Sequence, residues 1–437
     1  MATDGVFADG FKTEPYWWEA APPDDEGDAP PPDQVDVAII GSGYTGMSAA
    51  LELARGGVDV VILEAQRFGE GASTRSGGMV SGGVNVGKGG DIEKQYGRAR
   101  VDDMLAEARD SYDHLEHIIE REGIDCFYAR TGRFVGAHTP NAFGAMGARV
   151  EDLNTHADAG AALVPRSRQA DHVNTSYYHG GMSVERSGGV HPSLYHKGLR
   201  AACRRAGVRL SAHTRVEGID GTAGDLTVRT SRGPVRAKEV VLGTNGYTGA
   251  ATPWHRRRVV PVASYIIATE PLGEERVREL FPDLRMIADT KRVLYYFRPS
   301  PDGTRVIFGG RASFRSRTAL ETAPVLYRYM LGIFPQLAGV KITHAWTGNV
   351  AFTFDRVPHM GDDNGVHYAM GCNGSGVVMM SHLGHRVALK ILGKTNRASA
   401  FDGLPFETRP FYTGVPWFLP TVGAWYKFRD WMDRLAA

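Results

Sequence analysis

The residues with the plainest chemical meaning stand near the start of the chain. Gly41, Gly43 and Gly46 form a Gly-x-Gly-x-x-Gly pattern, and Glu64 follows about 20 residues later. The first glycine permits a tight turn, the second lets backbone approach a pyrophosphate, and the third lets a helix pack closely on a strand. With Ser42, Tyr44 and Thr45 between them, they open a helix whose free N–H groups face an anion. A carboxylate at Glu64 accepts hydrogen bonds from both ribose hydroxyls of an adenosine. The pattern alone is weak, and its setting supplies the weight. Residues 36–40 (DVAII) suit a strand buried on both faces, residues 47–55 carry apolar residues at helical spacing, and residues 58–63 (VDVVIL) form a second buried strand that ends at Glu64. A βαβ unit of about thirty residues results, and an ordinary glycine turn does not account for it.

Residues 67–90 (RFGEGASTRSGGMVSGGVNVGKGG) are too glycine-rich for a helix and carry no strand pattern. Backbone this bare can lie against a long flat ligand. The small residues Ala72, Ser73, Thr74 and Ser76, the Arg75 side chain and the amides of Gly77 and Gly78 suit a diphosphate and a flavin ring. FAD is favoured over NAD; a mobile surface loop is the alternative. A second fingerprint is missing, since Gly243-Thr244-Asn245-Gly246 lacks a following buried strand and acidic residue. The electrons are therefore expected from the substrate rather than from NAD(P)H, leaving to oxygen or another acceptor.

With GASTRSGG behind Glu64, the chain resembles the D-amino-acid oxidase superfamily of flavoenzymes, and within it the γ-glutamylputrescine oxidase branch. The likeness spans nearly the whole chain, through EKQYG, SGGVHP, NGYTG, YYFRPSPDGTRVIFGG, WTGNVAFTFDRVPHMG and YAMGCNGSGV in order. The resemblance implies oxidation of a primary or secondary amine to an imine that water hydrolyses, with oxygen returned as hydrogen peroxide. It implies FAD contacts at Gly41, Ser42, Gly43, Tyr44, Thr45, Gly46, Glu64, Ala65, Ser73, Thr74, Arg75, Ser76, Gly77, Gly78, Val216, Thr244, Asn245, Gly246, Gly371, Gly374, Ser375, Gly376 and Val377. Gly376 is expected to open a helix beside the flavin pyrimidine end, where a helix N-terminus stabilises developing negative charge.

Several positions depart from the family pattern. Relatives read Gly-Tyr-Ser-Gly-His-Gly where this chain has Gly371-Cys372-Asn373-Gly374-Ser375-Gly376. Sarcosine-oxidase-like branches hold a substrate carboxylate with a lysine where Val378 stands, which disfavours a simple N-methyl amino acid. Gly348 occupies the position of their flavin-linking cysteine, so the FAD is expected to be non-covalent. Their oxygen-activating lysine falls near Ile307. An amine or amino-acid dehydrogenase serving another acceptor, and a non-catalytic FAD-binding protein, are the competing readings.

Hydride loss from an amine needs the neutral form, which orientation and apolar walls favour. Tyr247, Phe297, Trp346 and Phe352 are the candidate walls, each against a role in core packing. Cys372 and Asn373 complete the candidate pocket, Cys372 as a liner rather than a nucleophile.

Composition bounds the rest. The 437 residues include 54 glycines, against about 31 at average usage, and 50 Lys plus Arg nearly cancel 49 Asp plus Glu. No global field draws the chain to nucleic acid or anionic membrane, and a small amine substrate is the simpler expectation. A signal peptide and an apolar run of about eighteen residues are both absent from the sequence. Three scattered cysteines argue against disulfides and metal motifs, and a cytoplasmic setting is expected. His114-x-x-His117 and His382-x-x-His385 lack further ligands, so no metal is assigned. The expected fold is α/β, α+β overall: a Rossmann-like FAD-binding domain of the glutathione-reductase type built from discontinuous segments, plus an antiparallel-sheet substrate domain. Residues 1–34 are read as an arm or linker, with structure starting at Val35. Residues 35–95, 188–250 and 345–437 are assigned to the FAD-binding domain with its tail, and 96–187 and 251–344 to the substrate domain. The aromatic tail, 410–435, is expected to pack on its own fold or on a second subunit.

Overall fold

The computed structural model describes residues 5–83, 85–87 and 91–435. Strands Gln34–Ile40 and Val60–Leu63 pair in parallel, Val37 beside Val60 and Ile40 beside Leu63, with helix Tyr44–Arg55 between them. Their apolar runs are explained by cover on both faces. Gly41 has φ +97°, and a Cβ on Gly46 would collide with the Gly41 carbonyl oxygen, so only glycine lets the helix begin this close to the strand.

Around this pair grows an eight-stranded sheet, in the order Val216–Thr222, Asp225–Thr230, Val235–Leu242, Gln34–Ile40, Val60–Leu63 and Arg209–Ser211. Val366–Met370 joins beside Val235–Leu242 in parallel and carries His359–Asp363. Stretches far apart in sequence thus build one nucleotide-type sheet. Helix Gly376–Ile391 packs on helix Tyr44–Arg55, so closely that a Cβ on Gly384 would collide with the Thr45 carbonyl oxygen. Residues 91–123 carry two helices, Ile92–Tyr96 and Arg98–Glu122, divided at Gly97 with φ +79°.

The second sheet has nine strands in the order Phe7–Lys12, Ile342–Phe352, Val260–Thr269, Val306–Gly310, Tyr295–Pro299, Met286–Asp289, Arg133–Gly136, Gly181–Val184 and Ala161–Val164. Its pairings are antiparallel except for Phe7–Lys12 on Ile342–Phe352 and Met286–Asp289 on Arg133–Gly136. Helix Ala319–Ile333, started by a capping box between Thr318 and Glu321, covers one face with a core that includes Phe297, Phe308 and Phe334.

Three boundaries differ from the sequence reading. The arm is docked rather than free: Phe7–Lys12 is an edge strand, Trp17 is fully buried, and Asp24 and Asp28 bridge to Phe68 and Leu210. The Pro and Asp content of 20–34 conceals this, because the apolar surface lies just upstream in Tyr16, Trp17 and Trp18. Strand Ile342–Phe352 belongs to the nine-stranded sheet, so residues 345–352 leave the nucleotide-binding segments for the other side of the molecule. Ser187–Gly189 pairs with Met79–Ser81, inside a glycine-rich stretch whose sequence shows no strand pattern.

The tail forms helix Leu419–Leu435. Gly423 packs against Phe314 on its inner side, while Trp425, Phe428, Trp431 and Leu435 are exposed, so the tail is only partly packed on its own fold. Among the described residues no helix is long and apolar enough to cross a membrane.

Candidate active site

A cavity of about 1390 Å³ runs between the two sheets. That exceeds the roughly 300–1,000 Å³ of a drug-sized ligand pocket and leaves room for a dinucleotide with a small substrate. At the eight-stranded sheet it is lined by Gly41–Thr45, Glu64 and Ala65, Val216 and Thr244–Gly246. The amides of the first turn of helix Tyr44–Arg55 have no intrahelical acceptors, which makes this end an anion site. Ser42 donates through its backbone N at 3.0 Å and through Oγ at 2.7 Å to the Glu64 carboxylate, which also accepts from the Gln66 N–H at 3.1 Å. Glu64 is thereby fixed at the cavity wall. The buried His196 lies with Nε2 2.9 Å from the Ser42 carbonyl oxygen, and burial pulls its pKa down to about 4. The ring is neutral, with the proton on Nε2 to serve that carbonyl.

Residues 71–78 form the next stretch of wall, Thr74 excepted. They are held from behind by side chains distant in sequence. Trp17 Nε1 donates to the Ser76 carbonyl at 2.9 Å, and Trp346 Nε1 to the Arg75 carbonyl at 2.9 Å. Buried Arg298 donates through Nη1 to the Gly78 carbonyl at 3.1 Å and the Val190 carbonyl at 2.9 Å. The Tyr44 N–H donates to Ser73 Oγ at 3.2 Å. A Cβ on Gly43 would come 3.2 Å from Ser73 Oγ, and one on Gly77 would come 3.1 Å from the Tyr296 ring, so bare backbone keeps this channel open. The glycine-rich stretch also contains Gly89 and Gly90, which lie outside the described residues.

At the far end, Cys372–Gly374, Gly376 and Val377 line the cavity, and helix Gly376–Ile391 opens there. Asn373 sits at φ +45°, a conformation asparagine tolerates, and it ties the turn together. Its N–H donates to the Ala351 carbonyl at 2.9 Å, its Oδ1 accepts from the Thr353 N–H at 3.2 Å, and its Nδ2 donates to the Gly371 carbonyl at 2.7 Å. These donors, small residues and the helix N-terminus fit an FAD extended from Glu64 to Val377.

Four residues expected at the cofactor do not reach the cavity. Gly46 packs under the Gly41 turn, and Thr74 bonds inward to Gly69 and Trp18. The Gly371 amide is taken by Asn245 Oδ1 at 3.0 Å, and Ser375 Oγ accepts from Asn85 at 3.0 Å. Of the proposed aromatic walls, Tyr247 and Phe352 line the cavity, as do Cys372 and Asn373. Phe297 does not. It stacks on Phe308 with centroids 5.4 Å apart and meets Phe281 and Phe334 edge-on, under helix Ala319–Ile333. Strand side chains alternate faces, so its neighbour Tyr296 is the one that lines the cavity. Trp346 is on the correct face but is covered by residues 75–76 and Trp17, and it acts on the Arg75 carbonyl instead.

Sequence reasoning passed over Tyr296, Arg298, Arg311 and the tail residues Phe418, Leu419, Val422 and Tyr426; Arg298 braces the wall from behind, and the others line this end of the cavity. Alternation along YYFRP is the available signal for Tyr296 and Arg298. Burial pushes the Cys372 thiol up, and Cys126 and Cys203 are also free and buried, so none is poised as a thiolate. His138, Asp430 and Asp433 converge, yet both carboxylates pair with Arg292, which already supplies the cation. His382 faces Glu107 and His385 faces Glu52, in helix-packing contacts.

The profile of a family described as "FAD dependent oxidoreductase" matches residues 36–389. Gamma-glutamylputrescine oxidoreductase of Escherichia coli (strain K12) is 33% identical over 405 residues, covering 90% of this chain and 92% of that one. Among solved structures, glycine oxidase from Geobacillus kaustophilus superposes with a TM-score of 0.72 at 20% identity, covering 87% of this chain and 99% of that one. L-proline dehydrogenase from P. horikoshii gives 0.70 at 20% identity, covering 91% and 98%. At that identity the two structures speak for the fold.

Proposed function

The chain belongs to the DAO family of FAD-dependent oxidoreductases, and from that premise we propose that it oxidises the C–N bond of a primary or secondary amine, with FAD held non-covalently between the two sheets. One observation carries the reading: a single cavity joins the Glu64 end of the nucleotide-type sheet to a chamber walled by Tyr247, Tyr296, Phe352 and the tail helix. Gly41–Thr45, Glu64 and residues 75–78 would hold the FAD, whose chemistry would be two-electron oxidation of the amine C–N bond to an imine that water hydrolyses, with oxygen or another carrier as the final acceptor.

The chain's own contribution is placement. Trp17, Trp346 and Arg298 immobilise residues 75–78. The N-terminus of helix Gly376–Ile391 presents partial positive charge where negative charge would develop. Aromatic walls and the cations Lys291, Arg292, Arg311 and Arg356 along the same chamber disfavour an ammonium ion, and so favour the reactive neutral amine. The tail helix shields the chamber from bulk water. The name of the E. coli relative directs the first choice of substrate to N-acylated diamines.

Ile307 gives a second reading some support. It is buried beside Trp17, Ile266, Ala268 and Trp346, and supplies no cation near the position where related oxidases carry their oxygen-activating lysine. Electrons would then pass to a carrier rather than to oxygen. The test is anaerobic addition of an amine panel to the yellow protein, followed by admission of air. Bleaching that air reverses with formation of peroxide identifies an oxidase. Bleaching that only an added dye reverses identifies a dehydrogenase, and a flavin that no amine bleaches contradicts amine oxidation.

A further inference from the structure

We propose that the outer face of the tail helix Leu419–Leu435 seats the protein on an anionic phospholipid surface; the inference stands apart from the amine-oxidase reading above. Along this helix Trp425, Phe428, Trp431, Met432 and Leu435 are exposed. At about 100° per residue they fall within an arc of about 120°, so they form one stripe rather than a scatter. Phe411, which is 91% exposed, and Trp417 stand open on the segment leading into the helix. Outside the tail, the exposed large apolar side chains of the described residues are Phe127, Leu163, Tyr247 and Leu320, none of them in such a stripe. A concentration of this kind marks a surface that is covered in use.

Charge decides what covers it. Read along the chain, Lys427, Arg429, Asp430, Asp433 and Arg434 look balanced. The fold separates them. Asp430 and Asp433 turn toward the body of the protein, where both pair with Arg292. Lys427, Arg429 and Arg434 stay exposed, and among the described residues none of the three is in an ion pair. By helical angle Arg429 borders one edge of the stripe, and Lys427 and Arg434 border the other. Glu407, the acid of the segment leading in, is taken by Arg409. That segment is itself laid on a basic turn. Thr408 Oγ1 donates to the Arg257 carbonyl at 2.5 Å, Tyr412 Oη donates to the Val259 carbonyl at 2.7 Å, and Gly414 packs on the Arg256 side chain. Arg257 is exposed there and adds a further cation.

An aromatic stripe bordered by cations, with the acids withdrawn, suits a helix lying in the plane of a membrane interface. Tryptophan and phenylalanine enter the boundary between headgroups and acyl chains, while the lysine and arginine stems carry their charges to anionic headgroups. The helix is not long and apolar enough to cross a bilayer, so it would lie on the surface. A second copy of the chain matches the face less well. A two-fold contact through the stripe sets cations against cations, and the helix has no free acid to meet them. Val422 and Tyr426 on the inner side of the same helix wall the chamber, so docking sets the chamber beside the headgroups.

The test sediments the FAD-loaded protein with vesicles of phosphatidylcholine alone and of an equal mixture of phosphatidylcholine and phosphatidylglycerol. Binding to the mixed vesicles should be about 10- to 100-fold tighter and should weaken as salt is added. Trp425→Ser combined with Trp431→Ser should lower that binding at least about 10-fold, with FAD content unchanged. Lys427→Gln combined with Arg429→Gln should remove most of the preference for the mixed vesicles. In the wild type, brominated acyl chains in the mixed vesicles should quench part of the tryptophan fluorescence. Equal binding to both vesicle types, or binding to neither, would overturn the inference. So would undiminished binding by the tryptophan double variant, or an undiminished preference in the Lys427→Gln, Arg429→Gln variant. A dimer in sedimentation velocity that the tryptophan double variant abolishes, without vesicle binding by the wild type, would give the face to a second copy and overturn the inference as well.

Discussion

Trp346 donates its indole N–H to the carbonyl oxygen of Arg75 at 2.9 Å, across 271 residues of sequence. Trp17 does the same to the next carbonyl, Ser76, and the two indoles meet edge to face with centroids 6.2 Å apart. Two consecutive carbonyls are thus bound on the side away from the cavity, which fixes the wall that a flavin would lie against. Trp346→Phe removes one such bond and leaves a buried carbonyl unpaired, a loss of about 1–3 kcal/mol. FAD affinity of the apoprotein, measured by fluorescence titration, should weaken roughly 5- to 100-fold, with the far-ultraviolet spectrum unchanged.

Glu64 and Gly43 make a stronger test of the nucleotide end. Glu64→Ala removes the acceptor of the Ser42 and Gln66 hydrogen bonds as well as the proposed ribose contact. Gly43→Val pushes a branched side chain toward Ser73 Oγ. Both variants should purify with little or no bound flavin, read as the ratio of visible to ultraviolet absorbance. Gly147→Ala, on helix Met146–Ala157 with open space where its methyl group would stand, should keep a full complement. Gly27 in the arm is a poor control, because it sits at φ +89° and an added methyl group would stand 3.0 Å from the Arg204 side chain.

Asp430 anchors the tail helix over the chamber by accepting from Arg292 N at 3.1 Å, Arg292 Nη1 at 3.1 Å and Val293 N at 3.0 Å. Asp430→Ala leaves the Arg292 and Val293 backbone N–H groups without that acceptor, while Arg292 Nη1 keeps Asp433, and loosens the helix by about 1–3 kcal/mol. Limited proteolysis should cleave within residues 411–435 several-fold faster than in the wild type. FAD content should be unaffected, since the nucleotide end is untouched.

Acid should destabilise the fold in a defined window. Burial holds the pKa of each of His191, His196 and His255 down to about 4, whereas an unfolded histidine titrates near 6.5. Between those values the unfolded chain binds protons that the folded chain does not, so stability rises with pH through the window and these groups add no slope above it. His255→Phe is the clean probe, because His255 Nε2 is buried without a partner and its ring already packs on Trp254 and Tyr368. Urea unfolding between pH 4 and 6.5 should show a shallower slope in the variant, by about 1 kcal/mol per pH unit.

The nucleotide end is legible in the sequence because its signals lie together: strand, Gly41–Gly46 turn, helix, strand and Glu64 occupy one short stretch with clear periodicity. The substrate end is not, for two physical reasons. In Tyr295–Pro299 each face of the strand carries an aromatic ring, so a single aromatic does not tell the cavity face from the core face; only the alternation that sets Tyr296 with Arg298 and apart from Phe297 does so. The position of Trp346 depends on Trp17, contributed by an arm whose Pro- and Asp-rich continuation suggests a free linker. Contacts between such distant segments leave no local period to read. The same holds for the tail, whose aromatic residues are split between the chamber wall, with Phe418 and Tyr426, and the outer surface, with Trp425 and Phe428.

The proposed activity requires that one bound FAD take two electrons from one amine inside this cavity. Single-turnover stoichiometry measures that step itself: the holoenzyme is mixed anaerobically with an amine that bleaches it, and flavin reduced is counted against aldehyde released after quenching. One aldehyde per FAD reduced is expected, with both yields lost together in Gly43→Val. Bleaching without aldehyde, or a protein that purifies colourless and takes up no FAD, would contradict it.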